Sequence, residues 1–241
     1  MASTDDAIEP PRDYSRYDRR YVQLREEGSS GWVDVDSPNY AIHLEALERV
    51  LAADYCPSSG RALDAGCGAG CWSMVLAAHG FEVTGVDLSP TSIAWANEKA
   101  KADPPSGSGT VEFVEHSATD LSWLPENRFA FVLDGFLLHC LIGSDRHAYL
   151  REVHRVLDEG GIFFVQSFCA DDLDAPEWRD WNIDPQTRYR FDENGTADKY
   201  IGTSESILSD LRSAGFTPVE HWMTPIGGGM LQVACSKQHG A

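Results

Sequence analysis

The sequence predicts a doubly wound α/β fold, and three observations carry that prediction. From Arg61 onward short apolar runs alternate with segments of helical period, glycines cluster at 66, 68 and 70 straight after the first run, and residues 162–168, IFFVQSF, are apolar nearly throughout. Alternation of the two periods is the mark of right-handed crossovers that return each strand parallel to the last. A strand apolar on both faces belongs in a sheet covered by helices on both sides.

Taken in order, Tyr14 to Glu27 carries aromatics at 14, 17 and 21, the spacing of one side of a short amphipathic helix, which Gly28 to Gly31 break. Residues 1–38 therefore divide into an acidic tail and a cap helix, and 39–241 form the main domain. Leu44, Leu47 and Leu51 share a stripe, predicting a helix from Asn39 to Tyr55 that CPSSG ends. RALDA reads as a strand, the run after Gly70 to Ala78 as a helix and FEVTGVD as the second strand. Ser89 before Pro90 starts the next helix, since the serine oxygen accepts a free amide and proline has no N–H to lose in the first turn. That helix runs to about Lys101. VEFVE and FAFVLD are strands flanking a turn near Asp120 to Leu124. SDRHAYLREVHRVLDEGG places Leu150, Val153 and Leu157 on one face and stops at Gly160. After IFFVQSF the rhythm breaks over 170–202, then Thr203 to Ala214 is a helix, and FTPVEHW and MLQVACS are strands about the loop MTPIGGG.

Composition narrows the function. Of 241 residues 38 are acidic and 19 basic, a net charge of −19 with only four lysines, which opposes nucleic acid or an anionic membrane as partner. The longest apolar stretch, FAFVLDGFLLHCLIG, carries Asp134 and His139 and falls short of the ~20 residues that cross a bilayer. MASTDDAIEPPRD has no positive region leading into an apolar run, so it is not read as a secretion signal. Six irregularly spaced cysteines predict reduced thiols and a cytoplasmic protein.

The stretch ALDAGCGAG, with VTGVDLSP after it, is the most informative. Glycines after an apolar strand let the backbone turn sharply and approach a ligand, and Asp87, 21 residues beyond Gly66, stands where a carboxylate accepts both hydroxyls of a ribose. The pattern specifies a nucleoside-bearing cofactor. Its spacing is G-x-G-x-G, not the G-x-G-x-x-G of dinucleotide sites. Asp64 opposes a pyrophosphate and suits a cationic sulfonium and ammonium compound such as S-adenosylmethionine.

On these residues the chain resembles the class I S-adenosylmethionine-dependent methyltransferases, from about Asn39 to Ser236, with LDAGCGAG and GVDLSP as its motifs. The resemblance implies a Rossmann-like, mostly parallel seven-stranded sheet with an antiparallel last strand and helices on both faces. It implies S-adenosylmethionine as cofactor and S-adenosylhomocysteine as product. Asp64, Ala65, Gly66, Gly68 and Gly70 would line the methionine end, with Asp134 and Gly135 near its amino and carboxylate groups. Asp87 would hold the ribose and Leu88 would lie against adenine. Ser117 and Ala118 fall beside the adenine amine, but the family's acid before that alanine is missing; Asp120 or backbone groups would replace it.

Methyl transfer is a displacement at an activated carbon, so alignment and exclusion of water are the protein's main tasks. His139, just past the fourth strand, is the candidate base, with a histidine satisfied in its own turn as the plainer reading. Cys67 and Cys71 lack a second pair for a metal, and none is expected. Tyr14, Tyr17 and Tyr21 would close over the site if their helix folds across it, with packing as the plainer reading. The segment 170–202 combines nine carboxylates with Trp178, Trp181, Tyr189, Phe191 and Tyr200, and is read as a substrate cover or as ordinary packing. Its acids favour a cation, whereas Arg179, Arg188 and Arg190 would bind a carboxylate. The function expected is methyl transfer to an N, O or S nucleophile of a small molecule; the alternatives are an NAD-dependent oxidoreductase and a non-catalytic cofactor-binding scaffold.

Overall fold

A computed structural model describes residues 9–225 and 228–237. The first eight residues of the tail, two residues of the predicted MTPIGGG loop and the last four residues lie outside them. Two helices come first, α1 (Ser15–Glu26) and α2 (Pro38–Leu51), followed by β1 (Gly60–Ala65), α3 (Cys71–Ala78), β2 (Phe81–Asp87), α4 (Pro90–Ala102), β3 (Thr110–Glu115) and β4 (Phe129–Gly135). A 3-10 turn (Leu138–Cys140) leads to α5 (Ser144–Val156) and β5 (Leu157–Phe168). The insertion contributes β6 (Tyr189–Phe191) and β7 (Ala197–Tyr200), and the chain closes with α6 (Ser204–Ser213), β8 (Phe216–Thr224) and β9 (Met230–Lys237).

Seven strands form one sheet in the order β3-β2-β1-β4-β5-β9-β8. β1 is parallel to β2 and β4, β2 to β3 and β4 to β5, while β9 runs antiparallel between β5 and β8. This is the doubly wound architecture that the alternating pattern predicts. Neighbouring side chains on a strand point to opposite faces, and the central strands are apolar at both. Leu63, Val132, Phe163 and Val165 pack with α5 and α6 through Tyr149, Val153, Ile207 and Leu211. Ala62, Phe131, Phe164 and Leu133 face α2 and α3 through Leu47, Val50 and Leu76. Burying both faces leaves the strand ends and the loops beyond them to carry chemistry.

Two boundaries differ from the sequence reading. α2 ends at Leu51, not Tyr55. α5 ends at Val156, and LDEGG joins β5, because Leu157 pairs with Phe129 and the register then shifts before Ile162 meets Phe131. Gly160 has φ +79° within this irregular strand start, so its positive φ serves the sheet and not a helix end.

The segment 170–202 is ordered around a satellite cluster of Ala170, Trp178 and Ile201, against which Phe168 and Trp181 pack. The N-terminal segment is strapped to it: the Ala197 N–H donates to Pro11 O at 2.9 Å and the Tyr17 hydroxyl to Asp198 O at 2.9 Å. Arg16 pairs with Asp192 and Asp198, each at 3.1 Å. No helix among the described residues is long and apolar enough to cross a membrane.

Candidate active site

The turn after β1 is built from backbone groups. The N–H groups of Gly66 and Cys67 donate to Val86 O at 2.8 and 3.0 Å, which pins the turn to the end of β2. The Gly68 N–H donates to Asp87 Oδ2 at 2.9 Å and the Ser89 N–H to Asp87 Oδ1 at 2.8 Å. Gly68 has φ +52°, and a Cβ there would lie 2.2 Å from the Tyr21 hydroxyl oxygen. The turn therefore requires glycine both for its conformation and for the close approach of α1. Ser89 caps α4, its Oγ accepting the Ser92 N–H at 3.0 Å and donating to Asp18 Oδ1 at 2.6 Å. Asp18 also accepts the Thr91 N–H at 3.1 Å, so α1 is latched to the start of α4.

These groups border a cavity of about 780 Å³ at the tips of β1, β2, β4 and β5. Its size is within the range of sites that take drug-sized ligands. Of the residues singled out in the sequence, Gly66, Gly68, Asp87, Leu88, Ser117, Ala118, Gly135, His139, Tyr14, Tyr17, Tyr21 and Trp181 line it. Leu88 is half exposed, presenting an apolar surface beside the Asp87 carboxylate. Tyr17 and Tyr21 each pack against Trp32 with ring centroids 5.8 Å apart.

Other expected site residues sit behind the wall. Asp64 is buried and accepts the Ser73 hydroxyl proton at 2.6 Å; burial pushes it up to about 7. Ala65 is in the core. Gly70 is the N-cap of α3, where a Cβ would press Phe113 Cζ at 2.7 Å, so it serves helix-to-sheet packing. Asp134 accepts the N–H groups of Leu137 and Leu138 at 2.8 and 3.2 Å, bracing the turn after β4, and burial raises it to about 6. Asp120 Oδ1 accepts the Ser122 N–H at 3.1 Å and does not line the cavity.

The insertion departs most from its sequence reading. None of its nine carboxylates lines the cavity, nor does Arg179, Arg188 or Arg190; its contributions are Trp181 and Lys199. Trp178 is buried, its Nε1 donating to Gly228 O at 3.2 Å. Arg190 pairs with Asp198 at 3.6 Å, Tyr189 stacks edge-on against Tyr200, and Tyr200 lies under the Arg146 guanidinium. Neighbours on β7 diverge: Asp198 pairs with Arg16 and Arg190, and Lys199 lines the cavity.

His139 is buried in the wall against Phe168, ring centroids 4.8 Å apart. Its Nδ1 accepts the Phe168 N–H at 3.3 Å. Burial, reinforced by Lys199 and Arg146, holds it well below the usual histidine range. A neutral imidazole accepting at Nδ1 carries its proton at Nε2, so its free nitrogen is a donor.

Sequence reasoning missed Trp32, Tyr40, His43, Trp72, Phe136, Phe168 and Lys199, all of which line the cavity. Tyr40 stacks on Trp72 at 5.4 Å with planes 7° apart, and His43 meets Phe136 edge-on. Trp72 Nε1 is a buried polar atom without a partner, and His43 Nδ1 makes no well-formed hydrogen bond, with only the Gln166 side chain beside the ring. They are the kind of orphaned group that a ligand's carboxylate satisfies, and with the glycine turn and Asp87 they fit a zwitterionic nucleoside.

The model of the methyltransferase domain family matches residues 63–165. The chain is 33% identical over 174 residues to an uncharacterized methyltransferase of Synechocystis sp., covering 72% of this chain and 73% of that protein. It is 26% identical over 176 residues to a carboxy-S-adenosyl-L-methionine synthase of Chromohalobacter salexigens, covering 66% of this chain and just under two thirds, 62%, of that protein. In structure it superposes with a TM-score of 0.69 on Burkholderia thailandensis 1,6-didemethyltoxoflavin-N1-methyltransferase, solved with 1,6-didemethyltoxoflavin and S-adenosylhomocysteine. There the identity is 24%, over 99% of this chain and 95% of that one, a likeness of fold.

Proposed function

The chain belongs to the class I S-adenosylmethionine-dependent methyltransferase family, and on that premise we propose that it methylates an N, O or S nucleophile of a small molecule. The observation that carries this reading is one cavity joining two unlike regions. The Gly66–Gly68 turn with Asp87 and Leu88 lies at one end, and an aromatic chamber of Tyr14, Phe168 and Trp181 beside His139 lies at the other. A structural neighbour that is an N1-methyltransferase of 1,6-didemethyltoxoflavin supports a small-molecule acceptor.

In this reading Asp87 holds the ribose hydroxyls, Leu88 supports the adenine and Ser117 and Ala118 border it. Gly66, Gly68 and Gly135 face the methionine part, and His43 and Trp72 meet its carboxylate. When bound, S-adenosylmethionine supplies a methyl group already activated by a sulfonium. The chain's own residues then have to orient the acceptor and keep water out. Tyr17, Tyr21 and Trp32 close the chamber from the α1 side, and Trp181 and Phe168 from the insertion side. His139 serves by donating Nε2–H to the acceptor, because its Nδ1 is already committed to Phe168.

Six free cysteines and a deficit of basic residues support a reducing cytoplasm and no nucleic-acid partner. The test is to supply methyl-labelled S-adenosylmethionine with a metabolite pool and identify labelled products by mass spectrometry. A labelled small molecule is expected. Cofactor binding with no labelled product from any pool would leave the fold as a binding scaffold.

A further inference from the structure

Lys199 is the cation that the cavity holds at its acceptor end. Its side chain comes off β7 into the chamber, where Nζ donates to Cys140 Sγ at 3.6 Å and lies 5.9 Å from the Tyr17 ring centre. Among the described residues no carboxylate is within ion-pair reach of it, although this chain has twice as many acids as bases and Arg16, Arg146 and Arg190 are all paired. A cation left without a counter-charge beside aromatic walls is poised for a charge that arrives with a ligand.

The cavity is polarised along the sheet. Its carboxylates, Asp18, Asp34 and Asp87, belong to α1, the loop after it and the tip of β2. His139, Cys140 and Phe168 lie past the ends of β4 and β5. In the strand order β2-β1-β4-β5, two strand spacings separate the tip of β2 from the end of β4 and three from the end of β5, about 10–14 Å. The acids thus serve the cofactor end, and the opposite end offers an ammonium and, from His139, a neutral N–H donor.

We propose that Lys199 and His139 Nε2–H together bind an anionic oxygen of the methyl acceptor, whose substrate class is then a planar aromatic compound carrying a carboxylate or an acidic phenolic or enolic hydroxyl. This rests on the methyltransferase reading and deepens it. The aromatic chamber receives the ring, and the paired donors receive the oxygen. Lys199 also favours the ionised form of that oxygen, so the acceptor's charge is fixed on binding without a protein base.

Benzoate, benzamide and benzylamine, titrated by calorimetry into the complex with S-adenosylhomocysteine, test this. Benzoate is expected to bind at least about tenfold more tightly than either of the others, a difference well within calorimetric resolution. Lys199→Met should abolish that preference with cofactor affinity unaltered, and Lys199→Arg should restore it. Failure of benzoate to bind, equal binding of the three probes, or a preference that survives Lys199→Met would overturn the proposal. The selectivity of the wild-type protein decides the matter even if a variant does not fold. Labelled-methyl products separate this inference from the reading beneath it. A labelled product whose unmethylated parent carries no acidic oxygen overturns the inference and leaves methyl transfer standing; no product from any pool removes methyl transfer, while the probe selectivity still decides the anion site.

Discussion

Asp87, at the tip of β2, accepts the backbone N–H of Gly68, in the turn after β1, at 2.9 Å. One carboxylate thereby joins the ends of two adjacent strands, and its other oxygen holds the Ser89 N–H that opens α4. Each oxygen keeps acceptor capacity toward the cavity. Burial pushes Asp87 up while the Ser89 and Gly68 amides oppose that, so the group is fixed in place by the same contacts that favour its charge.

Removing this carboxylate should therefore act on the cofactor first. Asp87→Ala is expected to weaken S-adenosylhomocysteine binding by about 1.5–3 kcal/mol, the scale of hydrogen bonds to a charged group. Asp87→Asn keeps one acceptor oxygen and should fall between the two. Calorimetric affinities equal to wild type in both variants would refute the ribose assignment.

Gly68 is constrained twice, by φ +52° and by Tyr21. Gly68→Ala places its Cβ 2.2 Å from the Tyr21 oxygen but 3.2 Å from Cζ. The substitution should cost about 1–3 kcal/mol through overpacking. Adding Tyr21→Phe should recover the steric part and leave the cost of a positive φ on alanine. Denaturant unfolding of the two single variants and the double variant reads the coupling directly, and strict additivity would show that the two groups do not meet.

Asp64 makes a pH prediction. Burial raises it from 3.8 to about 7, against the pull of the Ser73 hydroxyl. The native state then holds a proton that the unfolded chain releases between about pH 4 and 7. The group's contribution to stability is full below 3.8 and is lost as pH rises through 7. Asp64→Asn keeps an oxygen for Ser73 and cannot ionise. Its stability relative to wild type should improve by roughly 2–3 kcal/mol from pH 5 to pH 8. An unchanged difference at the two pH values would count against a protonated native Asp64.

How far the sequence was legible follows from which forces were local. The Ser89–Pro90 cap, the strand period of FEVTGVD and the glycine turn are set by neighbours in the chain, and the structure has them where the pattern puts them. The α5 to β5 boundary departs from the helical period because Leu157 answers to Phe129 across the sheet, a contact that period does not record. The aromatic count in 170–202 marked a structured insertion without assigning its faces. Only the folded insertion, packed on its own cluster of Ala170, Trp178 and Ile201, brings Lys199 and Trp181 to the cavity while Trp178, Tyr189 and Tyr200 pack elsewhere. Trp32, Tyr40 and His43 had no motif around them; the packing of α1 and α2 over the strand tips brings them in.

The latch between α1 and α4 should be separable from the core. Asp18 accepts from the Ser89 hydroxyl and the Thr91 N–H, and those bonds hold it below the usual carboxylate range. Asp18→Ala removes both. Amide exchange should quicken across α1 while the central strands keep their protection, and S-adenosylhomocysteine should bind several-fold more weakly. Because Asp18 is depressed, the latch is fully present above pH 3.8 and is lost as pH falls through its folded value. Protection in α1 that is identical in the variant would mean that other contacts, such as Arg25 with Glu98 at 2.6 Å, suffice to hold the helix.

His139 separates an orienting role from proton abstraction. Its Nδ1 accepts the Phe168 amide and it stays neutral through the physiological range, so no limb of a pH–rate profile between pH 6 and 8 should belong to it. His139→Phe removes the Nε2–H and leaves the Phe168 amide without an acceptor, at a cost of about 1–3 kcal/mol in stability. With an acceptor identified by methyl labelling, KM should rise more than kcat falls and the profile should keep its shape, since what is lost is a contact that holds the acceptor. Disappearance of an ionisation from the profile, with KM unchanged, would instead assign proton abstraction to this histidine, which would require the Phe168 bond to break during turnover.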